Sequence, residues 1–373
     1  MPMPVDQVEL LIGGKMHAEW ESYEIDSDFI TPADAWRVGL GLVNGKIPPD
    51  VQAGAQVEVR IGGETVLVGH IDDEAQPLTR NRHSLSLSGR DSAGTLLDCS
   101  APIFTAMQVT LAEVVAKVVR PFGYTKIRID ADETLMREKI NVEPGDSAWR
   151  TLQYSAEANG LWPWFEPDGT LVIGGPDYTS PVVAELVMRR SGKGNNALSI
   201  NVNRSMQGRY SEVTVFGQAP GNMLESGRNA LSATVKDDGM IGIYRPHMVT
   251  DHDAESVAIC RDRARKLISD SRLNALTITA AVKGHRIIAP GTAYHGILWK
   301  PGQRVRVISE PHHLDAVYFM MGRRFTGSRK EGTRSILTLK EDGVWVAGAH
   351  PRKHRHGRNN LPGKIIDIPG PAL

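Results

Sequence analysis

Glu331 and Glu341 carry carboxyl groups, and a pair of such groups can catalyse the cleavage of a glycosidic bond. That reaction needs two carboxyl groups across the sugar bond, about 5 to 9.5 Å apart. Both residues lie beside turn glycines, where charged side chains are ordinary, so they do not by themselves indicate an active site. The neighbouring histidines His312 and His313 follow a proline in a turn and point to different sides of an extended chain, which argues against a joint catalytic role.

One serine, Ser147, stands where a nucleophile could act. Its context, Gly145-Asp146-Ser147, is similar to the opening of an esterase signature, but Ala148 replaces the leucine of that pattern. A helical pattern begins at the same place, and a serine there typically accepts a hydrogen bond from the first turn of the helix. We therefore predict that Asp146 or Ser147 caps a helix, and we predict no catalytic residue in the chain.

Phosphate and metal sites are equally weakly indicated. A Walker loop needs the pattern GxxxxGK[ST], whereas residues 189–197 read RRSGKGNNA, which predicts a solvated loop. His354 and His356 form a His-x-His pair that offers at most two ligands, and a stable metal site needs about four. The sequence thus predicts no metal and no cofactor.

Charge and cysteine content narrow the class of protein. The 373 residues carry 43 Lys plus Arg and 43 Asp plus Glu, so no overall field draws the chain to nucleic acid or membrane. The first 30 residues contain acidic side chains and no long apolar run, which predicts neither a signal peptide nor a membrane span. Cys99 and Cys260 lie far apart in sequence and are predicted to be buried free thiols of a chain that folds in the cytoplasm.

In the C-terminal third, one helix precedes a series of strands. Residues 254–271 carry apolar side chains at helical spacing and charges on the other faces, and the apolar period changes to two over residues 276–283. Further strands are predicted at residues 296–299, 304–308, 317–325 and 335–340. Short strands separated by glycine and proline turns are typical of a small barrel or sandwich.

The N-terminal part shows the same strand pattern. Alternating apolar residues at 8–12 and 57–61 precede Gly-Gly turns and predict hairpins. With the strands predicted at 37–42 and 84–89, they indicate a first barrel within residues 5–92.

An α+β unit is predicted between these parts, over about residues 100–180. One helix spans residues 111–119, and a second begins after Ser147 and ends at Asn159-Gly160. The hairpin at 161–173 turns at Pro167-Asp168-Gly169, and its Trp162 and Trp164 share a strand face, which favours a role in the core or an interface.

Several segments resemble the hub proteins of contractile-tail phage baseplates, most closely the Mu-like type, which are related to the hub part of type VI secretion spike proteins. Residues 291–307, GTAYHGILWKPGQRVRV, look like the family's second barrel. Residues 145–174, GDSAWRTLQYSAEANGLWPWFEPDGTLVIG, look like its helix followed by an aromatic hairpin. The N-terminal barrel and the segment with Gly89-Arg90-Asp91 also fit, so the likeness covers most of residues 5–345.

The resemblance implies an α+β, mostly β fold with two small antiparallel β-barrels and α+β domains, in a ring-forming trimer. The expected units are a first barrel at 1–98, an α+β domain with two helices and the aromatic hairpin at 99–185, a second barrel at 186–345 and a basic Pro/Gly-rich tail at 346–373. The second barrel would carry an inserted segment at about 218–272 and would include the strand at 212–217.

The implied function is a structural, non-enzymatic hub of the virion, made late in the host cytoplasm. The hub would be a symmetry adaptor that joins the six-fold tail tube to the three-fold central spike and forms part of the DNA channel. Expected partners are two further copies in a homotrimer, the spike, the tail tube and other baseplate proteins. DNA would pass only transiently during ejection, without stable membrane insertion.

The basic tail and two rival functions stay open. Assembly contacts are predicted at Arg352, Lys353, His354, Arg355 and His356, as an arm onto a neighbouring subunit or the spike, against the alternative of a solvated tail. One rival is a hub or spike component of a bacterial contractile secretion system, whose chains usually continue into a long β-helical needle. The other is a tail-associated protein that binds or degrades cell wall, and the lack of a catalytic constellation counts against it.

Overall fold

The computed structural model describes residues 6–345, except residues 19, 42–46, 131–136, 143, 158–160, 219–229, 241, 252–253 and 255. The first eight strands are β1 (Val8–Ile12), β2 (Lys15–His17), β3 (Ser22–Asp28), β4 (Ala35–Gly41), β5 (Gln56–Ile61), β6 (Glu64–Ala75), β7 (Leu78–Thr79) and β8 (Arg82–Asp91). The middle part contains α1 (Ser92–Asp98), β9 (Thr105–Val109), α2 (Leu111–Val119), β10 (Ile127–Ile129), β11 (Arg137–Asn141), α3 (Ala148–Glu157), β12 (Trp162–Phe165) and β13 (Leu171–Gly174).

The C-terminal part of the chain contains the remaining elements. They are β14 (Val182–Met188), β15 (Ala197–Arg204), β16 (Glu212–Gln218), β17 (Ala230–Lys236), β18 (Pro246–Thr250), α4 (Val257–Ala275), β19 (Leu276–Lys283), β20 (Arg304–Ser309), β21 (Leu314–Ser328) and β22 (Gly332–Glu341). Short 3-10 turns follow α2 at Arg120–Phe122 and β20 at Glu310–His312. The described part is therefore mostly β, as the sequence predicts.

The N-terminal strands form one antiparallel array in the order β3-β4-β8-β6-β5-β1-β2. Their apolar residues alternate, so β1 and β5 each bury every second side chain. Because side chains on a strand point to opposite faces in turn, this pattern covers one face of the array with core residues.

Pairing of β3 with β21 joins this array to the C-terminal strands. The two strands are antiparallel and register over seven residue pairs, from Asp28 opposite Gly322 to Ser22 opposite Ser328. The result is one 14-stranded sheet, whose two halves share a hydrophobic core. The sequence predicts two barrels, but backbone pairing closes neither half into a ring among the described strands.

The C-terminal half comes nearest to closing between β14 and β15. Its strands follow the order β14-β20-β21-β22-β19-β15, in which only β14 and β20 run parallel. At the open seam, the Asn196 side chain accepts a hydrogen bond from Val187 N at 2.7 Å and donates one to Glu185 O at 2.7 Å. A side-chain amide thus replaces part of the missing ladder.

The middle part folds around a second core, as predicted for the α+β unit. Helix α2 begins with a capping box between Thr110 and Glu113, and its stripe of valines is buried against α3 and the β10-β13-β12 sheet. At the start of α3, Ser147 Oγ accepts a hydrogen bond from Arg150 N at 3.2 Å. The prediction that this serine caps a helix is therefore confirmed.

Strand β16 is not part of the large sheet, so the placement of residues 212–217 in the second barrel is wrong. It pairs with β17 and, in parallel, with β18 to form a separate three-stranded sheet. Val213 and Val215 pack against Cys260 and Ala264 of α4. Helix α4 therefore covers the apolar face of β16, which the prediction placed in the core of a barrel.

Other predictions have mixed outcomes. The strand predicted at 296–299 is an irregular segment with one isolated bridge, between Arg286 and Leu298. Both cysteines are free, and Cys260 is buried as predicted, but Cys99 is exposed because it follows the end of α1. The predicted helix end at Asn159-Gly160 lies outside the described residues. No helix in the described ranges is long and apolar enough to cross a membrane.

We expect Gly327→Ala to destabilise the junction of the two halves. A Cβ atom at Gly327 would overlap the ring of Tyr23, which lies across it from β3. Overpacking of this kind costs about 1–3 kcal/mol. Urea unfolding should show the loss in the parent but not in a Tyr23→Ala background, and an equal loss in both backgrounds would assign the effect to the backbone instead.

We expect Asn196→Ala to weaken the seam between β14 and β15. The change leaves Val187 N and Glu185 O without their present partner, which costs about 1–2 kcal/mol in partly exposed positions. Asn201→Ala, on an exposed position of β15, is the matched control and should change the unfolding free energy by less than about 0.5 kcal/mol. Equal losses in the two variants would contradict a bridging role for Asn196.

Candidate functional site: a cavity at the junction of the sheet halves

A loop of six residues leaves β3 immediately after the paired segment. Its backbone is held by carboxylates: Asp28 accepts from Ile30 N at 2.8 Å, Asp26 accepts from Ala35 N at 2.7 Å, and Asp34 accepts from Asp28 N at 3.1 Å. Ala33 has φ +71°, a left-handed conformation that is uncommon for a non-glycine residue. Backbone hydrogen bonds hold the two ends of the loop, from Phe29 N to Met321 O at 3.0 Å and from Asp91 N to Asp34 O at 2.9 Å, and the side-chain hydrogen bonds fix the residues between them.

The junction cavity is the space between this loop and three other parts of the chain. Its walls come from residues 27–34, from the starts of α1 and α3, from residues 163–167 at the end of β12, and from Lys300, Pro301 and Arg323. Four of the lining residues are aromatic and four are prolines: Phe29, Trp149, Trp164 and Phe165, and Pro32, Pro163, Pro167 and Pro301. The cavity therefore exists only where both sheet halves meet the middle part.

An aromatic cluster lies beside the cavity. Phe29 contacts Trp164 edge to face at 5.2 Å between centroids and stacks on Trp345 at 5.8 Å. Trp162 contacts the same Trp345 at 6.3 Å and donates its indole N–H to Phe29 O. Trp162 is a core residue and Trp164 is partly buried against the same cluster, in line with the predicted role in the core or an interface. The contact between Trp162 and Trp345 ties the hairpin to the last described residue of the chain.

The charged residues of the cavity are mostly carboxylates. Asp28, Asp34, Asp91 and Glu166 line it, against the cations Lys300 and Arg323. Burial raises the pKa of Asp34 to about 7, and burial together with the nearby Asp34 raises the pKa of Asp91. Burial also lowers the pKa of Arg323 to about 10, although Asp34 and Asp26 oppose that shift.

Two buried N–H groups of the cavity have no acceptor within the part of the chain that the structure describes. They are the indole Nε1 of Trp149 and the Nε of Arg323, and both side chains are at least nine-tenths buried. The Arg323 Nη1 is satisfied, because it donates to Ile25 O at 2.9 Å, and the guanidinium lies 4.1 Å above the Phe325 ring. Buried donors without acceptors are costly, so these two groups reduce the stability of the packing around the cavity.

A buried histidine ties β3 to the C-terminal half beside this cavity. His285 Nε2 lies 2.8 Å from Tyr23 Oη, and its Nδ1 lies 3.2 Å from Ser335 Oγ. Burial, and then the positive charge of Arg323, lower the pKa of His285 to about 3. Since the ring is fully buried and close to two cations, it is a neutral structural group rather than an acid or base.

The other catalytic candidates are engaged elsewhere. Glu331 lies 3.8 Å from Arg334, Glu341 lies 3.0 Å from Arg272, and His312 contacts Ser309 Oγ at 2.7 Å. No three metal-ligating side chains cluster in the described residues. The structure therefore brings none of the sequence candidates together, and it instead reveals the junction cavity, whose residues come from segments too distant in sequence to show a motif.

Two further predictions concern surfaces. The run Arg352, Lys353, His354, Arg355 and His356 lies outside the described residues. The three-stranded sheet exposes Phe216 and Met248 on the side away from α4, and Tyr244 before β18 is also exposed. Long insertions often carry contacts with other proteins, so contacts of residues 218–245, within the insertion predicted at about 218–272, stay a prediction.

We expect the stability of the chain to respond to pH in opposite ways at His285 and Asp34. The folded-state pKa of His285 lies below the ordinary 6.5, so its contribution to stability is complete above pH 6.5 and is lost as the pH falls towards 3. The folded-state pKa of Asp34 lies above the ordinary 3.8, so its contribution is complete below pH 3.8 and is lost as the pH rises towards 7.

Unfolding free energies of His285→Gln and Asp34→Asn, measured in urea at several pH values, check this prediction. The advantage of the parent over His285→Gln should shrink by up to about 1.4 kcal/mol per pH unit below pH 6.5. The advantage of the parent over Asp34→Asn should shrink as the pH rises instead. An advantage that does not change with pH in either variant would show that the group titrates alike in the folded and unfolded chain.

Four family models match successive parts of the chain. They are described as Mu phage baseplate assembly protein GpP-like, N-terminal (residues 7–91), baseplate hub protein gp44-like, second domain (93–175), tail protein NMB1110-like, third domain (209–268), and tail protein, C-terminal domain (270–344). Together they follow the chain through both halves of the large sheet.

Whole-chain comparisons agree with these models. The tail protein from Neisseria meningitidis MC58 is 39% identical, with a TM-score of 0.80 over 92% of this chain and 99% of that one. The baseplate hub protein gp44 of Escherichia phage Mu is 22% identical over 95% of this chain and 93% of its own length. The 43 kDa tail protein of prophage MuSo2 from Shewanella oneidensis, 23% identical, has the same fold, with a TM-score of 0.79 over 90% and 98% of the two chains.

Proposed function

Because the chain belongs to the family of baseplate hub and tail proteins of Mu-like phages, structural components of the phage tail, we propose that three copies form the ring of the hub. In this role the ring joins the six-fold tail tube to the three-fold central spike. The hub is then a symmetry adaptor and surrounds part of the channel through which DNA leaves the particle.

The observation that carries the proposal is the division of the large sheet into two halves joined by β3 and β21. Each chain supplies two arrays of mainly antiparallel strands, one from the N-terminal strands and one from the C-terminal strands. Three chains around one axis would supply six such arrays. The six arrays could contact the six-fold tail tube on one side of the ring, and the three-fold symmetry of the ring itself matches the spike on the other side. The rigid backbone pairing between the halves would keep the six arrays evenly placed.

The proposed role needs no catalysis. Proteins that resemble this chain over its whole length are named as tail and baseplate proteins. The serine at position 147 is used as a helix cap, and the acidic candidates Glu331 and Glu341 each face an arginine. These observations support a structural function over cleavage of cell wall.

The balance of charge suits a channel that DNA only passes through. The chain carries equal numbers of acidic and basic residues, so it has no overall attraction for the phosphate backbone. Proposed stable partners are the two other copies, the spike, the tail tube and further baseplate proteins.

We also propose that the units of the chain are residues 1–98, 99–185, 186–345 and 346–373. The last unit holds Arg352, Lys353, His354, Arg355 and His356, which we assign to contacts with a neighbouring subunit or the spike in the assembled baseplate.

Light scattering on the purified chain, alone and with the candidate spike, tests the proposal. We expect a mass of about three times 40.8 kDa, either for the chain alone or once the spike is added. A chain that stays monomeric in both experiments would overturn the trimeric ring. Clearing of a cell-wall suspension by that monomer, measured as loss of turbidity, would favour the enzymatic alternative.

A further inference from the structure

The two halves of the large sheet repeat one arrangement of strands. In chain order, β1, β3, β4, β5, β6 and β8 of the N-terminal half correspond to β14, β15, β19, β20, β21 and β22 of the C-terminal half. Their order in the sheet is also the same, β3-β4-β8-β6-β5-β1 against β15-β19-β22-β21-β20-β14. The halves differ in β2, which has no counterpart, and in the first strand, because β1 is antiparallel to β5 and β14 is parallel to β20. The surroundings of each strand therefore predict those of its counterpart.

A β-bulge at the same place in both halves fixes this correspondence residue by residue. β6 shifts its register against β8 between Ile71 and Asp73, and β21 shifts its register against β22 between Met320 and Gly322. Each bulge lies just beyond the segment that pairs with the preceding strand, β5 or β20. Asp73 therefore corresponds to Gly322, and the residues that follow correspond in step.

The second edge of β6 is free where that of β21 is occupied. β21 pairs through this edge with β3, over residues 322–328. In β6 the corresponding residues, 73–79, have no strand on this edge within the described ranges, and most of them are exposed. The side chain of Leu78 is 75% exposed, although it lies on the same face of the sheet as the buried Leu85.

The backbone groups of this edge are directed towards a missing strand. Pro77 O accepts a hydrogen bond from Ser84 N of β8 at 3.1 Å. Successive residues of a strand direct their N–H and C=O groups to opposite sides, so those of Gln76 and Leu78 point to the free edge. Pro77 lacks an N–H group only on the side of β8, so the proline removes no donor from the free edge. An edge of this kind is a template for pairing with another chain.

The counterpart of β3 has a free edge as well. β15 corresponds to β3 and pairs only with β19 among the described strands. Ser205 N donates to Ala275 O on the β19 side at 2.9 Å, and the outward groups therefore belong to every second residue before it. These residues are Arg204, Val202 and Ile200. Since β3 and β21 already form the junction within the chain, the strand that fits each free edge would come from a second copy.

The known pairing of β3 with β21 predicts which residues would meet. Ile25 of β3 corresponds to Val202 of β15, because both strands keep the same register through β4 and β19. Transferred to the free edges, the register places Glu74 opposite Arg204, Gln76 opposite Val202 and Leu78 opposite Ile200. In all three pairs the backbone groups of both residues face the partner strand. The first pair joins opposite charges, and the third covers an exposed leucine with an apolar side chain.

From this repeat we propose that β15 of one copy pairs antiparallel with residues 73–79 of the next copy, so that each contact between chains repeats the β3–β21 junction within a chain. Three such head-to-tail pairings close a ring, because each copy contributes one edge of each kind. The inference rests on the proposed trimeric hub and adds to it the strands and the register through which the copies meet.

Disulfide cross-linking in the full-length chain tests the pairing. In a Cys99→Ser background, one cysteine replaces Ala75 and a second replaces Asn203, two exposed residues that the register places opposite each other. Cα atoms of opposite residues in an antiparallel pair lie about 4.5–5.5 Å apart, within the range of a disulfide. Ser199→Cys in place of Asn203→Cys is the matched control, because Ser199 is exposed on the same face of β15 but about 13 Å further along the strand.

We expect disulfide-linked dimers and trimers from the chain with Ala75→Cys and Asn203→Cys, at a yield several-fold above that of the control, on a non-reducing gel. Coexpression of two chains that carry one of these changes each should give linked dimers and no linked trimers, because every link then needs one chain of each kind. Light scattering on the reduced samples, with the spike added where the chain alone does not assemble, shows whether the trimer is present.

An exchange of charge tests the register independently. We expect Glu74→Arg to reduce the fraction of trimer several-fold at a fixed concentration, because it places two arginines opposite each other at every contact. Adding Arg204→Glu should restore the trimer, because the opposite charges then face each other again. Glu331→Arg, an exposed position between β21 and β22 with the same change of charge, is the matched control and should leave the trimer unchanged.

The outcomes separate this inference from the proposed hub. A trimer with equal cross-linking at Asn203 and Ser199 would overturn the strand pairing and leave the trimeric hub standing. A trimer that Glu74→Arg weakens and Arg204→Glu does not restore would also contradict the register. A chain that stays monomeric with and without the spike would overturn the trimeric hub, and the pairing with it.

Discussion

Backbone pairing between β3 and β21 is the interaction on which the rest of this structure depends. Strands of a sheet are rigidly spaced at about 4.8 Å, so seven registered pairs place the N-terminal and C-terminal halves in one fixed orientation. Tyr23 of β3 crosses Gly327 to reach His285, and Arg323 of β21 donates to Ile25 O. Both side chains depend on this register, because a shift by one residue would move them to the other face of the sheet.

The junction cavity is a consequence of this pairing. Where β3 leaves β21, its chain turns back through the loop at residues 29–34, and the turn brings Phe29 against the aromatic hairpin and Trp345. Arg323 lies on the opposite strand, and its nearby acidic groups are Asp34 of the loop and Asp26 of β3. Buried charge and unpaired donors are expensive, and a protein keeps them where three parts of the chain must fit together or bind something.

The same architecture connects the chain to its family. Family models follow it from residue 7 to residue 344 in four segments, and a tail protein with 39% identity shares nearly all of its length. In the proposed hub ring, the fixed orientation of the two halves of the chain would matter more than any single reactive group.

The sequence by itself determined those elements whose pattern is local. Helices α2 and α4 and strands β1, β5, β19 and β20 follow from apolar spacing, and the cap at Ser147 follows from the residues next to it.

Only the tertiary structure decided which strands become neighbours. The sequence did not predict β3, because Ser22–Asp28 is mostly polar and buries a single apolar residue, Ile25. The sequence pattern assigned β16 to the wrong sheet, because an alternating strand can pack against any apolar face. In the structure that face belongs to α4. The cavity could not be predicted for the same physical reason: its walls are far apart in sequence, and long-range pairing alone brings them together.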